Sequence, residues 1–177
     1  FNSSGFEDDG LIITSLSPRD VIINGGLNVT GNITGNFIYG DVNVHPDGNI
    51  TIDIEIQGVH KNITGFDEMQ LNGFTLEDDA LVAQVDGKYL VDFWLSTAGG
   101  VNRIYESCIA VNGEHVTPHA HRKQGAAGDI GSMSGGSIIN LTKGDIVNLQ
   151  IRNTDGTQDV DVFFAGMRLT RIGDLFT

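Results

Sequence analysis

The sequence predicts an all-β protein: a C-terminal jelly-roll sandwich preceded by an extended N-terminal arm and an intertwined β segment. Three observations predict it. Period-two alternation of apolar and polar residues recurs along the chain, whereas helical periodicity is hard to find anywhere. Turn signals separate the alternating pieces at short, regular intervals. Glycine is abundant, with 24 in 177 residues, nearly twice the average share of about 7%, and only three prolines and one cysteine accompany it.

From the N-terminus, residues 1–20 are polar and acidic and read as an attachment arm, with Phe1, Phe6, Leu11, Ile12 and Ile13 as its apolar anchors. An arm of this composition needs a partner to order it. Residues 21–65 form a β-rich segment. Its first part, Leu27-Asn28-Val29-Thr30-Gly31-Asn32-Ile33-Thr34-Gly35-Asn36-Phe37, repeats an apolar residue every fourth position at Val29, Ile33 and Phe37. One such segment cannot close a core alone, so it is expected to wind against symmetry copies or to add to a sheet edge.

Asp41-Val42-Asn43-Val44 and the run Ile50, Ile52, Ile54, Ile56 alternate cleanly, with His45-Pro46-Asp47-Gly48-Asn49 as turn chemistry between them. They are expected to form a hairpin whose Ile face is buried between subunits. Residues 66–74 read as a connector. The larger domain, 75–177, carries strands expected at 74–76, 80–85, 87–95, 105–111, 114–118, 136–141, 146–152 and 159–171. Asp86-Gly87, Ala98-Gly99-Gly100, Asn112-Gly113, Lys143-Gly144-Asp145 and Asp155-Gly156 punctuate them. Asn112-Gly113 is the strongest hairpin signal. In Lys143-Gly144-Asp145 the glycine supplies positive φ and the aspartate a local hydrogen bond.

In the strand over 87–95, Tyr89, Val91, Phe93 and Leu95 share one face, and Leu90, Asp92, Trp94 and Ser96 the other. Both faces carry large apolar groups, and Phe163-Phe164 repeats the pattern. A lone sandwich buries one face of each sheet, so Trp94 and Phe164 are expected at an interface between subunits.

The order of these pieces carries a resemblance. Lys88-Tyr89-Leu90-Val91-Asp92-Phe93, Ile109-Ala110-Val111-Asn112-Gly113, Ser137-Ile138-Ile139-Asn140-Leu141, Gly144-Asp145-Ile146-Val147-Asn148-Leu149 and Val162-Phe163-Phe164-Ala165-Gly166-Met167-Arg168-Leu169 together resemble the tumour-necrosis-factor and complement-head jelly roll, particularly the versions carried by bacteriophage and other viral surface proteins. The resemblance covers roughly residues 75–172. It implies a homotrimer built around a three-fold axis and a binding or assembly role rather than an enzyme.

Combined with the arm, this reading makes the chain a structural protein of a virus particle: a trimeric capsid decoration or cement protein on the virion surface, in contact with the major capsid protein or another virion protein. Phe1, Phe6, Leu11, Ile12 and Ile13 would anchor it. Val29, Ile33, Phe37, Ile50, Ile52, Ile54, Ile56, Trp94 and Phe164 would be buried between subunits. The alternative is a receptor-binding fibre tip that recognises a host-surface glycan or protein through loops near 97–104, 113–135 and 153–158.

Charge narrows the partners. With 23 acidic against 10 basic residues the net charge is −13, which suits neither nucleic acid nor an anionic membrane, since both call for clustered Lys and Arg. No apolar run approaches the roughly 18 residues of a membrane-spanning helix, and no signal-peptide pattern opens the chain. The lone Cys108 is expected as a small buried residue on a strand.

No catalytic set is complete, so neither enzyme activity nor a cofactor is expected. Gly-x-Ser-x-Gly is absent, and the Gly-rich stretch 124–136 lacks the Gly-Lys-Ser/Thr of a phosphate loop, so it is expected as a long loop. His115, His119 and His121 form His-x-x-x-His-x-His, with His119 and His121 on one face of an extended strand, a spacing that suits zinc. No Cys or acid other than Glu114 lies beside them, and Arg122 and Lys123 follow. They are therefore expected as solvated loop histidines with no metal assigned. The acid clusters Glu7-Asp8-Asp9 and Glu77-Asp78-Asp79 lack calcium-loop spacing. Six Asn-x-Ser/Thr triplets, at Asn2, Asn28, Asn32, Asn49, Asn62 and Asn140, are expected mostly as turn asparagines.

Overall fold

The alternating pattern folds into two antiparallel sheets in a computed structural model that describes residues 37–44 and 50–175. Thirteen strands follow in chain order: β1 (Tyr39–Val44), β2 (Ile50–Ile52), β3 (Lys61–Asn62), β4 (Phe66–Asn72), β5 (Phe74–Glu77), β6 (Ala80–Ala83), β7 (Gly87–Gly99), β8 (Arg103–Val111), β9 (Glu114–His115), β10 (Ala120–Gln124), β11 (Gly131–Leu141), β12 (Ile146–Asn153) and β13 (Val160–Gly173). The first sheet runs β11-β7-β13-β1-β4, with β2 also on β13; the second runs β10-β8-β12-β6-β5, with β3 on β12 and β9 on β8. Neighbours distant in sequence lie side by side in both, as in a jelly roll.

Alternation decides what is inside. Tyr89, Val91, Phe93 and Leu95 of β7 and Val160, Val162, Met167 and Leu169 of β13 meet Tyr105, Ile109, Leu149 and Ile151 of the second sheet in one core. At about 25 cal/mol per Å² of apolar surface removed from water, this layer is the main favourable term. The Asn112-Gly113 hairpin is as expected, with φ of 51° and 88° joining β8 to β9.

The jelly roll begins well before residue 75. β1 lies between β13 and β4, pairing Val42 with Met167 and with Glu68, so the described part of the 21–65 segment belongs to the sandwich itself. β1 and β2 do not form a hairpin: both pair with β13, and β2 continues the line of β1 along the same edge, Val44 opposite Ala165 and Ile50 opposite Val162. Ile52 and Ile54 lie in the protomer's own core and Ile50 packs against it, so a second copy does not account for their burial. Asp159 Oδ1 accepts the Ile54 N–H at 2.9 Å, and residues 53–60 then cross from the first sheet to the second. Ile56 and Phe37 face solvent in the protomer.

Two strands replace expected loops. β4 replaces the 66–74 connector; it is an edge strand with only Phe66 buried, so it shows no alternation to read. β10 and the first half of β11 shorten the expected 124–136 loop to the six residues between them. Asp78 and Asp79 make the β5–β6 turn with φ of 46° and 62°, and Asp79 Oδ1 accepts the N–H groups of Gly65 and Phe66 at 2.7 and 2.9 Å. Asn62 and Asn140 lie in strands rather than turns. Phe1, Phe6, Leu11, Ile12, Ile13, Val29 and Ile33, and the other four triplet asparagines, fall outside the described residues.

Candidate functional site

Two surfaces of the sandwich stand out, one on the outer face of each sheet. On the first sheet, Leu90, Asp92, Trp94 and Ser96 point away from the core, as the alternation of β7 requires. Their cross-strand neighbours build rows. Ile138 and Thr170 flank Leu90, Gly136 and Arg168 flank Asp92, and Ser134 and Gly166 flank Trp94. Gly166 lets the Trp94 indole lie flat on the sheet, since a Cβ there would stand 2.5 Å from Trp94 Cζ2. Arg168 pairs with Asp41 at 3.1 Å and stacks 5.6 Å above the Trp94 ring. A bulge at Phe163 brings Phe164 opposite Ser96 on this face. Leu90 is 41% and Ile138 61% exposed in the protomer. Trp94 and Phe164 thus share one partly apolar face, with a charged row through it.

The outer face of the second sheet carries a polar cluster. Glu106 and Cys108, two residues apart on β8, point to the same side, and both are covered. Register places His121 of β10 and Arg152 of β12 directly opposite Glu106, and Gln150 opposite Cys108. The crossing segment 53–60 ends with His60 over both. Glu106 Oε1 lies 2.5 Å from His119 Nδ1, 2.7 Å from Arg152 Nη2 and 3.4 Å from His60 Nε2, and Oε2 lies 3.4 Å from His121 Nδ1. Oε1 is held by the Arg152 charge, with no partner meeting it in well-directed hydrogen-bond geometry. His60 Nε2 is also 3.7 Å from Cys108 Sγ. The His60 ring stands edge-on to that of His115, with centroids 4.0 Å apart, and His119 completes the group 5.2 Å from His115.

Electrostatics follow from this packing. Burial works to raise the Glu106 carboxyl, but the adjacent Arg152 guanidinium, with His119 and His121, outweighs it and holds the group below the usual carboxylate range. Burial, reinforced by His115 and Arg152, pushes His60 down to about 4, so its imidazole is neutral at pH 7. Burial and then the Glu106 charge push the Cys108 thiol up to about 11. The resting group is therefore a thiol, and the His60–Cys108 pair lacks the activated thiolate of a nucleophilic cysteine. What the cluster does offer is uncharged imidazole, sulfur and carboxylate donors within reach of one another.

Four of the chain's five histidines gather here; His115 and His121 are exposed, as expected from sequence, but with the partly covered His119 they face Glu106 and His60 rather than standing apart in a loop. His-x-x-x-His-x-His was the legible signal. The sequence reading missed His60, Glu106 and Arg152, and it placed Cys108 correctly as buried but not among these partners. Only the pairing of β3, β8 and β12 assembles them, and no local spacing records that pairing.

No known family matches the chain as a sequence and no curated protein does. Solved structures do match. The tumour-necrosis-factor protein Eiger from S. frugiperda superposes with a TM-score of 0.63 at 12% identity, over 81% of this chain and 97% of that one. Murine APRIL at pH 8.0 gives 0.55 at 11% identity, over 76% and 99%. The globular domain of zebrafish complement 1qA gives 0.54 at 14% identity, over 78% and 99%. The fold is the tumour-necrosis-factor and complement-head jelly roll.

Proposed function

We propose that this jelly roll is the protomer of a homotrimer that decorates and cements the surface of a virus particle, with no catalytic role. The observation that carries the reading is the outer face of the first sheet. Leu90, Trp94, Ile138 and Phe164 line it, although the sandwich core is already complete without them. Side chains of this kind on a second face of a sheet are what a subunit interface buries. The row Asp92, Arg168, Asp41 through the middle of the patch would set the register between copies, as charged groups do at interfaces. A closed trimer brings the same face of three copies together.

The viral setting rests on the resemblance of residues 75–172 to jelly rolls of phage surface proteins and on the acidic arm ahead of them. On this reading Phe1, Phe6, Leu11, Ile12 and Ile13 dock on the capsid protein, and Val29, Ile33 and Phe37 bury between the three copies above it. The acidic composition, net −13, keeps the projecting heads apart.

Adding purified protein to particles that lack it tests this. Restored resistance of the particles to heat, lost when residues 1–20 are removed, is the expected result. Blocked adsorption of virus to cells with no gain in particle stability would instead assign the chain to a receptor-binding tip and overturn the cement reading.

A further inference from the structure

We propose that His60, Cys108 and His115 form a zinc site on the outer face of the second sheet. One donor atom from each, together with the two others, lies within 4.8 Å. Tetrahedral zinc, with bonds of about 2.0–2.3 Å to nitrogen and sulfur, needs its ligand atoms roughly 3.5 Å apart. His60 Nε2 and Cys108 Sγ, at 3.7 Å, already have that separation. The two edges to His115, whose donor atom lies within 4.8 Å of both others, close with a small swing of that exposed side chain.

Two nitrogens and one sulfur select a borderline-soft cation such as zinc over calcium or magnesium, which take oxygen donors. On binding, the Cys108 S–H bond breaks, the Zn–S bond forms and the proton leaves to solvent. His60, Glu106 and His119 make a second triad sharing the same imidazole. It is the poorer site, because the Arg152 guanidinium stands 2.7 Å from Glu106 Oε1 and would repel a dication placed there.

The surroundings orient the third ligand. His115 Nε2 lies 3.1 Å from Gln150 Oε1, and Gln150 Nε2 donates to Asn62 Oδ1 at 2.8 Å. The second bond turns the amide so that its oxygen faces His115. With Nε2–H donating to that oxygen, Nδ1 keeps the free lone pair, the arrangement that outer-shell partners impose on metal-binding histidines. Zinc here would clamp the crossing segment and the β8–β9 hairpin onto β8. The site lies on the opposite sheet from the proposed trimer face and does not depend on it.

Cobalt titration of the full chain, stripped with chelator under reducing conditions, tests the assignment. The expected result is one Co²⁺ per chain with a near-ultraviolet thiolate-to-cobalt band, displaced by Zn²⁺, and a melting temperature raised by Zn²⁺. Cys108→Ser should abolish the band. His115→Ala, at an exposed position that leaves the fold intact, should weaken binding at least tenfold and remove the thermal gain. His121→Ala, at a residue whose Nδ1 lies 3.4 Å from Glu106 Oε2 and which belongs to neither donor triad, should leave both unchanged. Absence of stoichiometric binding, a band that survives Cys108→Ser, or equal losses in His121→Ala and His115→Ala would overturn it.

Discussion

Arg152 and Glu106 stand opposite one another on β12 and β8, and Arg152 Nη2 lies 2.7 Å from a carboxylate oxygen that the sheet and its histidines bury. The guanidinium keeps partial contact with solvent while Glu106 is 3% exposed. The pair is therefore asymmetric: the carboxylate depends on its partner more than the partner depends on it. Removing Arg152 strands a buried charge, whereas removing both groups does not.

Arg152→Met should cost stability toward the lower end of about 3–5 kcal/mol, because His119 and His121 remain beside the carboxylate. Glu106→Gln combined with Arg152→Met should recover most of that loss. Urea unfolding midpoints of the two variants check this. Equal midpoints would mean that the uncompensated charge is not what destabilises the single variant.

Acid should weaken the fold through His60 before it does so through the carboxylates. The folded-state value near 4 lies below the ordinary 6.5, so between the two the unfolded chain binds a proton that the native chain does not. The stabilisation present above pH 6.5 is lost as the pH falls toward 4, by up to about 3 kcal/mol. Glu106, also held low, adds to the loss below that window. His60→Gln should flatten the fall between pH 6.5 and 4.5 in denaturant titrations.

Tyr105 ties the β7–β8 turn to the segment before β13. Its hydroxyl accepts the Gly100 N–H at 2.8 Å and lies 2.9 and 3.1 Å from the carbonyls of Asp159 and Gln158. Tyr105→Phe should cost about 1–3 kcal/mol by leaving buried groups unpaired. Gly99→Ala should cost more, since its Cβ would stand 2.4 Å from the Tyr105 ring and hydroxyl. Thermal melts that rank the two variants in this order support the account.

How much of this was legible depended on whether the cause was local. The faces of β7 could be read by counting alternate residues, and Asn112-Gly113 announced its hairpin because the turn needs positive φ at both positions. β4 and β10 could not be read: edge strands rich in Asp, Glu, Arg and Lys have one shielded side at most, and alternation disappears. Ile50 to Ile56 alternated clearly, but alternation does not say against what a face packs: the protomer's own core took Ile52 and Ile54, and Ile56 stayed in solvent. At the second sheet, the His115, His119, His121 spacing was visible, whereas Glu106 and His60 meet only through strand pairings remote in sequence.

The most direct measurement is the mass of the purified full chain by light scattering with size-exclusion chromatography, alongside the variant Leu90→Asp/Ile138→Asp. The account predicts three times the protomer's 19.0 kDa for the natural sequence, and a single protomer with unchanged β-sheet circular dichroism for the variant. A natural chain that elutes as a stable monomer, or a variant that remains trimeric, would contradict it.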